Sequence, residues 1–131
     1  MFETILVPTD GSEFAQRAEN VAISIASKYN ARITGAYVID EKLIYPYEVL
    51  EEEGKNILKN LSSNAKKEGV TVDEILVVGN PAKDLVTIIR RMKPDLVVIG
   101  THSKKGLEKL LLGSVAENVL KTVEAPVLLV K

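Results

Sequence analysis

Leu96-Val97-Val98-Ile99-Gly100-Thr101-His102-Ser103-Lys104-Lys105-Gly106, followed by Leu111-Leu112-Gly113-Ser114, is the stretch on which the reading of this chain turns. Four apolar residues run together and stop at a glycine. A run this short, without polar alternation, reads as a strand buried on both faces. The polar loop behind it carries glycines and closes on Gly113-Ser114, a pair suited to opening a helix. Glycine lets backbone N–H groups approach a ligand closely, and a helix N-terminus favours an anion. The stretch therefore reads as strand, anion-accepting loop, helix.

Outward from it the same pattern recurs. Ile5-Leu6-Val7 is another continuous apolar run, closed by Pro8-Thr9-Asp10-Gly11-Ser12. Phe14, Ala15, Ala18, Val21, Ala22, Ile25, Ala26 and Tyr29 follow at helical spacing, with Ser12 in place as the cap. Ile33 to Ile39 reads as a strand ending in polar Asp40-Glu41-Lys42. Leu50, Ile57, Leu58, Leu61 and Ala65 mark a second helix that stops near Gly69. Ile75 to Val78 is a third strand, and Asn80-Pro81 then supplies a cap and a proline at the first helical position. Leu85, Ile88, Ile89 and Met92 form the apolar face of that helix, and Pro94-Asp95 ends it. Ser114 and Glu117 have the spacing of a capping box, and Pro126 opens a last strand, Val127 to Val130. Leu43 to Val49, with Tyr45-Pro46-Tyr47, is the one irregular connection of any length, readable as a flap or as a cover for the sheet edge.

This alternation, with no linker or repeat, predicts a single α/β domain over residues 1–131: an open five-stranded parallel sheet with helices on both faces. A chain of 131 residues buries roughly two thirds of its unfolded surface. With 46% apolar and 27% charged residues and a net charge of −1, it has no general nucleic-acid or membrane surface. The absence of cysteine excludes disulfides, thiolate metal sites and cysteine nucleophiles, and suits the cytoplasm. No apolar run approaches the roughly 18 residues of a membrane span, and Met1-Phe2-Glu3-Thr4 enters a strand without a basic n-region, so no signal peptide is expected.

In doubly wound sheets ligands sit beyond the carboxyl ends of the strands, where the strand order reverses. Pro8 to Ser12 and Gly100 to Ser114 are the two loops equipped for that place, and an order of 3-2-1-4-5 puts them side by side. Periodicity alone does not establish that order.

At these residues the chain resembles the universal stress protein family, over its whole length. The family opens with a strand ending in P-x-D-x-S, matched by Pro8-Thr9-Asp10-Gly11-Ser12, and its second strand ends in a run matched by Val38-Ile39-Asp40. Its signature is glycine, two residues, glycine, nine residues, glycine, then serine or threonine. Gly100 and the pair Gly113-Ser114 fit it, Ser103 stands in place of the second glycine, and Gly106 matches a further loop glycine. The resemblance implies a flavodoxin-like fold of order 3-2-1-4-5 and a homodimer joined through the last strand, Val127 to Val130. In the ATP-binding branch it also implies an adenosine side at Pro8, Thr9, Asp10 and Val38. The phosphate side would be Gly100, His102, Ser103, Lys104, Lys105, Gly106, Gly113, Ser114 and Val115. The implied ligand is ATP, or AMP or ADP. Read from the residues alone, Asp10 with Ser114 could hold Mg2+ through phosphate.

Each of these residues also has a plainer reading. Asp10 suits a turn that bonds its own backbone, Ser114 a helix cap, and Lys104 and Lys105 a solvated loop. His102 is the only histidine and has no evident triad or metal partners. If position 103 needs a left-handed backbone, serine costs about 1–2 kcal/mol, roughly tenfold in affinity; if it needs only clearance, the hydroxyl can donate to phosphate. No G-x-x-x-x-G-K-[ST] motif occurs, no G-x-G-x-x-G follows the first strand, and Val78-Gly79-Asn80-Pro81 lacks the aspartate of a phosphoacceptor domain. No paired carboxylates, nucleophile elbow or zinc spacing assigns a hydrolase. The expectation is a small ATP-binding regulatory module of the stress response, acting as a nucleotide-dependent switch and not identified as an enzyme. The alternatives are a dimeric interaction module without nucleotide and a slow ATPase.

Overall fold

A computed structural model describes residues 2–102 and 112–131 of the chain. Its elements alternate from end to end: β1 (Thr4–Pro8), α1 (Glu13–Tyr29), β2 (Arg32–Asp40), α2 (Tyr47–Lys67), β3 (Val72–Gly79), α3 (Pro81–Met92), β4 (Leu96–Gly100), α4 (Ser114–Thr122) and β5 (Val127–Val130). The five strands form one parallel sheet in the order β3-β2-β1-β4-β5, the order expected. The chain moves outward from β1 to β3, crosses back to β4 and ends at β5. The order therefore reverses between β1 and β4, where Ile5 pairs with Leu96.

The central strands are buried on both faces, which explains their unbroken apolar runs. Ile5 and Val7 face α1 and α2 with Ile33, Val98, Ala18, Ala22 and Leu61. Leu6, Val97 and Ile99 face α3 and α4 with Leu85, Ile89, Ala116 and Val119. The edge strand β3 differs, and it starts at Val72, three residues before the apolar run. Its first polar residues are held from neighbouring elements: Arg32 forks onto Asp73 at 3.0 and 3.1 Å, and Ser62 donates to Glu74 at 2.5 Å. An edge strand needs no second apolar face, so its pattern breaks down.

Helix starts follow local chemistry, with two departures from expectation. Ser12 caps α1, accepting from the Ala15 N–H, and Asn80 caps α3, accepting from the Lys83 N–H, with Pro81 at its first position. The irregular connection is shorter than Leu43 to Val49, because α2 begins at Tyr47. Pro46 precedes it with φ −55 and ψ 137, and its carbonyl takes the Val49 and Leu50 N–H groups. The second departure is the capping box at Ser114. Gly113 is the N-cap residue, Ser114 is already helical, and no side chain caps α4. The Glu117 N–H goes to the Gly113 carbonyl at 2.8 Å, which moves the helix start one residue earlier than the Ser114–Glu117 spacing implies. Among the described residues no helix is long and apolar enough to cross a membrane.

Candidate functional site

The carboxyl ends of β1, β2 and β4 open into a cleft of about 420 Å3. That volume lies within the usual range for small-molecule and cofactor sites. Three segments wall it.

The first wall is the turn from β1 into α1. The Thr9 N–H donates to the Ala36 carbonyl at 2.9 Å, tying the turn to β2. Asp10 folds back on the chain, its Oδ1 accepting from the Ser12 N–H at 2.9 Å. This is the turn role that an aspartate here readily takes. The Thr9 hydroxyl points inward and donates to Glu19 Oε2 at 2.6 Å. Glu19 lies on α1 and is only 4% exposed. Burial pushes its carboxyl above the ordinary value; the Thr9 hydrogen bond opposes that shift, and the charge of Asp10 adds to it.

The second wall is the end of β2 with the start of α2 and α3. Tyr37, Val38 and Asp40 reach the cleft from β2, Leu50 and Glu53 from α2, and Asn80 to Ala82 from α3. Asp40 builds its own turn, accepting from the Lys42 N–H at 3.0 Å, while its carbonyl takes the Leu43 N–H at 3.1 Å.

The third wall joins β4 to α4. The Thr101 N–H reaches the Val130 carbonyl at 2.9 Å and the Gly113 N–H reaches the Thr101 carbonyl at 2.7 Å, so Gly113 is held directly above the end of β4. His102 packs its ring against Phe14, with centroids 4.9 Å apart, and its Nδ1 lies 3.0 Å from the Thr101 hydroxyl. Gly100 is required by the fold: a Cβ there would stand 2.9 Å from the backbone of Phe14 on α1. In the first turn of α4 the N–H groups of Ser114, Val115 and Ala116 have no acceptor among the described residues, and they lie at the positive end of the helix dipole.

Of the residues named from sequence, Pro8, Thr9, Asp10, Val38, Gly100, His102, Gly113, Ser114 and Val115 all line this cleft. Ser103, Lys104, Lys105 and Gly106 lie outside the described residues. Sequence reasoning left out Asp40, Lys42, Glu53 and Asn80, which line the cleft as well. Asp40 and Asn80 had a usable signal, since both stand at the carboxyl end of a strand. Glu53 had none, because it arrives from the body of α2.

The arrangement is polarised. Carboxylates gather at the β1–β2 end, and backbone donors at the β4–α4 end. The two ends are separated by one to two strand spacings, roughly 5–10 Å across the sheet. An elongated ligand with an anionic end and a hydroxyl-bearing or amino-bearing end matches that layout.

The family model described as the Universal stress protein family matches residues 1–131. Universal stress protein MJ0531 of Methanocaldococcus jannaschii is 38% identical over 144 aligned positions, covering 100% of this chain and 83% of that protein. The solved structure of protein MJ0577 of the same organism superposes with a TM-score of 0.90 at 36% identity, covering 100% of this chain and 96% of that one. A universal stress protein solved in complex with cAMP superposes with a TM-score of 0.79 at 32% identity, covering 99% of this chain and 97% of that one.

Proposed function

Because the chain belongs to the universal stress protein family, we propose that its cleft is an adenine-nucleotide site and that the protein is a small nucleotide-dependent regulatory module. One observation carries the reading: a polarised cleft of nucleotide size, with backbone donors that have no acceptor among the described residues at one end and carboxylates at the other. A related protein with cAMP bound supports the ligand class.

ATP lies along the cleft with its phosphates on the first turn of α4 and its adenosine against Pro8 to Asp10 and Val38. Backbone N–H groups at a helix start suit phosphate oxygens in both direction and charge. Asp10 faces the ribose hydroxyls as an acceptor. Mg2+ arrives on the phosphates, for which a single carboxylate such as Asp10 suffices on the protein side. The regulatory output is a shift in population between arrangements of the segments that border the cleft. Leu43 lines the cleft while the next two residues, Ile44 and Tyr45, are 98% and 67% exposed, so ligand and partner would meet on one short loop. The strand β5 is an edge whose Leu128 is 37% exposed, and pairing with β5 of a second copy would cover it.

Calorimetry with ATP and Mg2+ tests the ligand. Micromolar-scale affinity, on the order of −8 kcal/mol, is expected. No heat and no thermal stabilisation at millimolar nucleotide would show the cleft to be something else. Light scattering tests assembly: a dimer is expected, shifted toward monomer by Leu128→Lys, and a monomeric unmodified chain contradicts it.

A further inference from the structure

Glu19 occupies a position where its helix has no local reason for a carboxylate. It stands on the buried side of α1 among Ala15, Ala18, Ala22 and Ile23, and is 4% exposed. An apolar side chain would continue that face at no desolvation cost, whereas a buried acid is expensive even when hydrogen-bonded. Its hydrogen bond leads out of the core and into the cleft wall. The Thr9 hydroxyl donates to Glu19 Oε2 at 2.6 Å, and the same hydroxyl oxygen accepts from the Gly11 N–H at 3.2 Å. Gly11 sits at φ +79, a left-handed conformation open to glycine, and the Thr9 hydroxyl is what holds its N–H there. The Thr9 N–H is meanwhile fixed to Ala36 at 2.9 Å. Carboxyl, hydroxyl and amide thus form a chain running from the core of α1 to the peptide that follows Asp10.

We propose that Glu19 is a positioning residue for the nucleotide site, acting through Thr9 to hold the Thr9–Asp10–Gly11 turn in its ligand-ready shape. This rests on the nucleotide reading above. The stability given up by burying the acid is recovered as preorganisation: a turn already set does not have to be ordered when ligand binds. Asp10 depends on that turn, because the peptide held by Thr9 fixes where its side chain starts. The role is assigned to the adenosine end, since the hydrogen bonds of Glu19 and Thr9 run to Gly11 and Ala36.

The test compares Glu19→Leu and Glu19→Gln with the unmodified chain by thermal melting, by hydrogen exchange at the Gly11 amide, and by calorimetry with ATP and with adenosine. Glu19→Leu should melt no lower than the unmodified chain while its Gly11 amide exchanges about tenfold faster. Its affinity for ATP and for adenosine should fall by the same factor, about fivefold. Glu19→Gln keeps an oxygen for the Thr9 hydroxyl and should recover most of the loss. A lower melting temperature with unchanged affinity for both ligands would overturn the proposal and make Glu19 a purely structural group. If the unmodified chain binds no nucleotide, the nucleotide reading fails by itself. The exchange rate still decides the latch, and an unchanged Gly11 amide in Glu19→Leu overturns it.

Discussion

At the β1–β2 end of the cleft the polar groups hold one another, whereas at the α4 end the leading N–H groups have no acceptor among the described residues. Thr9 binds Glu19 and Ala36, Asp10 binds the Ser12 N–H, and Asp40 binds the Lys42 N–H. The first turn of α4 has neither a side-chain cap nor, among the described residues, an acceptor for its leading N–H groups. One end is a shaped surface whose turns are tied by their own hydrogen bonds. The other is a set of donors awaiting charge. The contrast suits a ligand recognised by fit at its nucleoside and by electrostatics at its phosphates. It also means that variants at the two ends should fail differently.

The largest effect should come from the floor that both ends share. Gly100→Val drives a branched side chain toward the Phe14 backbone, which a Cβ alone would meet at 2.9 Å. Overpacking against backbone cannot relax by a rotamer change, so destabilisation of about 3 kcal/mol is expected in denaturant titration. ATP and adenosine should then weaken together; a selective loss of ATP would mean that Gly100 serves the phosphates directly.

Ser114→Pro acts at one end only. Proline is tolerated at the first helical position, and Gly113, at φ −63 and ψ 153, is already extended as a residue before proline must be. The fold should be kept while the backbone N–H of residue 114, and the serine hydroxyl with it, is lost to phosphate. Calorimetry should show ATP weakened by about tenfold, as for a hydrogen bond to a charged group, with adenosine unchanged. Equal losses would erase the distinction between the two ends.

The smallest effect is the pH dependence set by Glu19. Its folded pKa lies above the ordinary carboxylate value of 4.5, mainly through burial. The folded chain therefore keeps a proton over a range in which the unfolded chain has released it. The corresponding stability is fully present below the ordinary value and declines as pH rises through the folded one. Glu19→Leu should remove that decline, so melting curves of the two proteins should diverge as pH rises from the acid side. Parallel curves would place the ionised carboxylate in a better environment than its burial implies.

The sequence was most legible where one local pattern settles one element. The unbroken apolar runs of β1 and β4 signalled strands covered on both faces, and Ser12 and Asn80 signalled helix starts with no tertiary information. The strand order came from resemblance to a family rather than from periodicity, since hydrophobic runs do not specify their neighbours. Legibility failed where an outcome depends on a distant partner. Asp73 and Glu74 near the start of β3 are polar, and this edge strand is braced there by Arg32 and Ser62. The capping pattern at Ser114 lost to the tether of Gly113 on Thr101, which sets the helix start from outside the helix. Nothing in the sequence singles out Glu19, because its partner Thr9 is brought to it only by the packing of α1 on the sheet.

Backbone amide NMR during titration tests the central claim most directly, because ATP and adenosine share a nucleoside and differ only in phosphates. Both ligands should shift the amides of Asp10, Gly11 and Val38, and ATP alone should shift those of Ser114, Val115 and Ala116, downfield as new hydrogen bonds form. If ATP leaves the first turn of α4 unmoved while it shifts the β1–β2 end, the anion lies elsewhere and the polarised cleft is not how this protein reads a nucleotide.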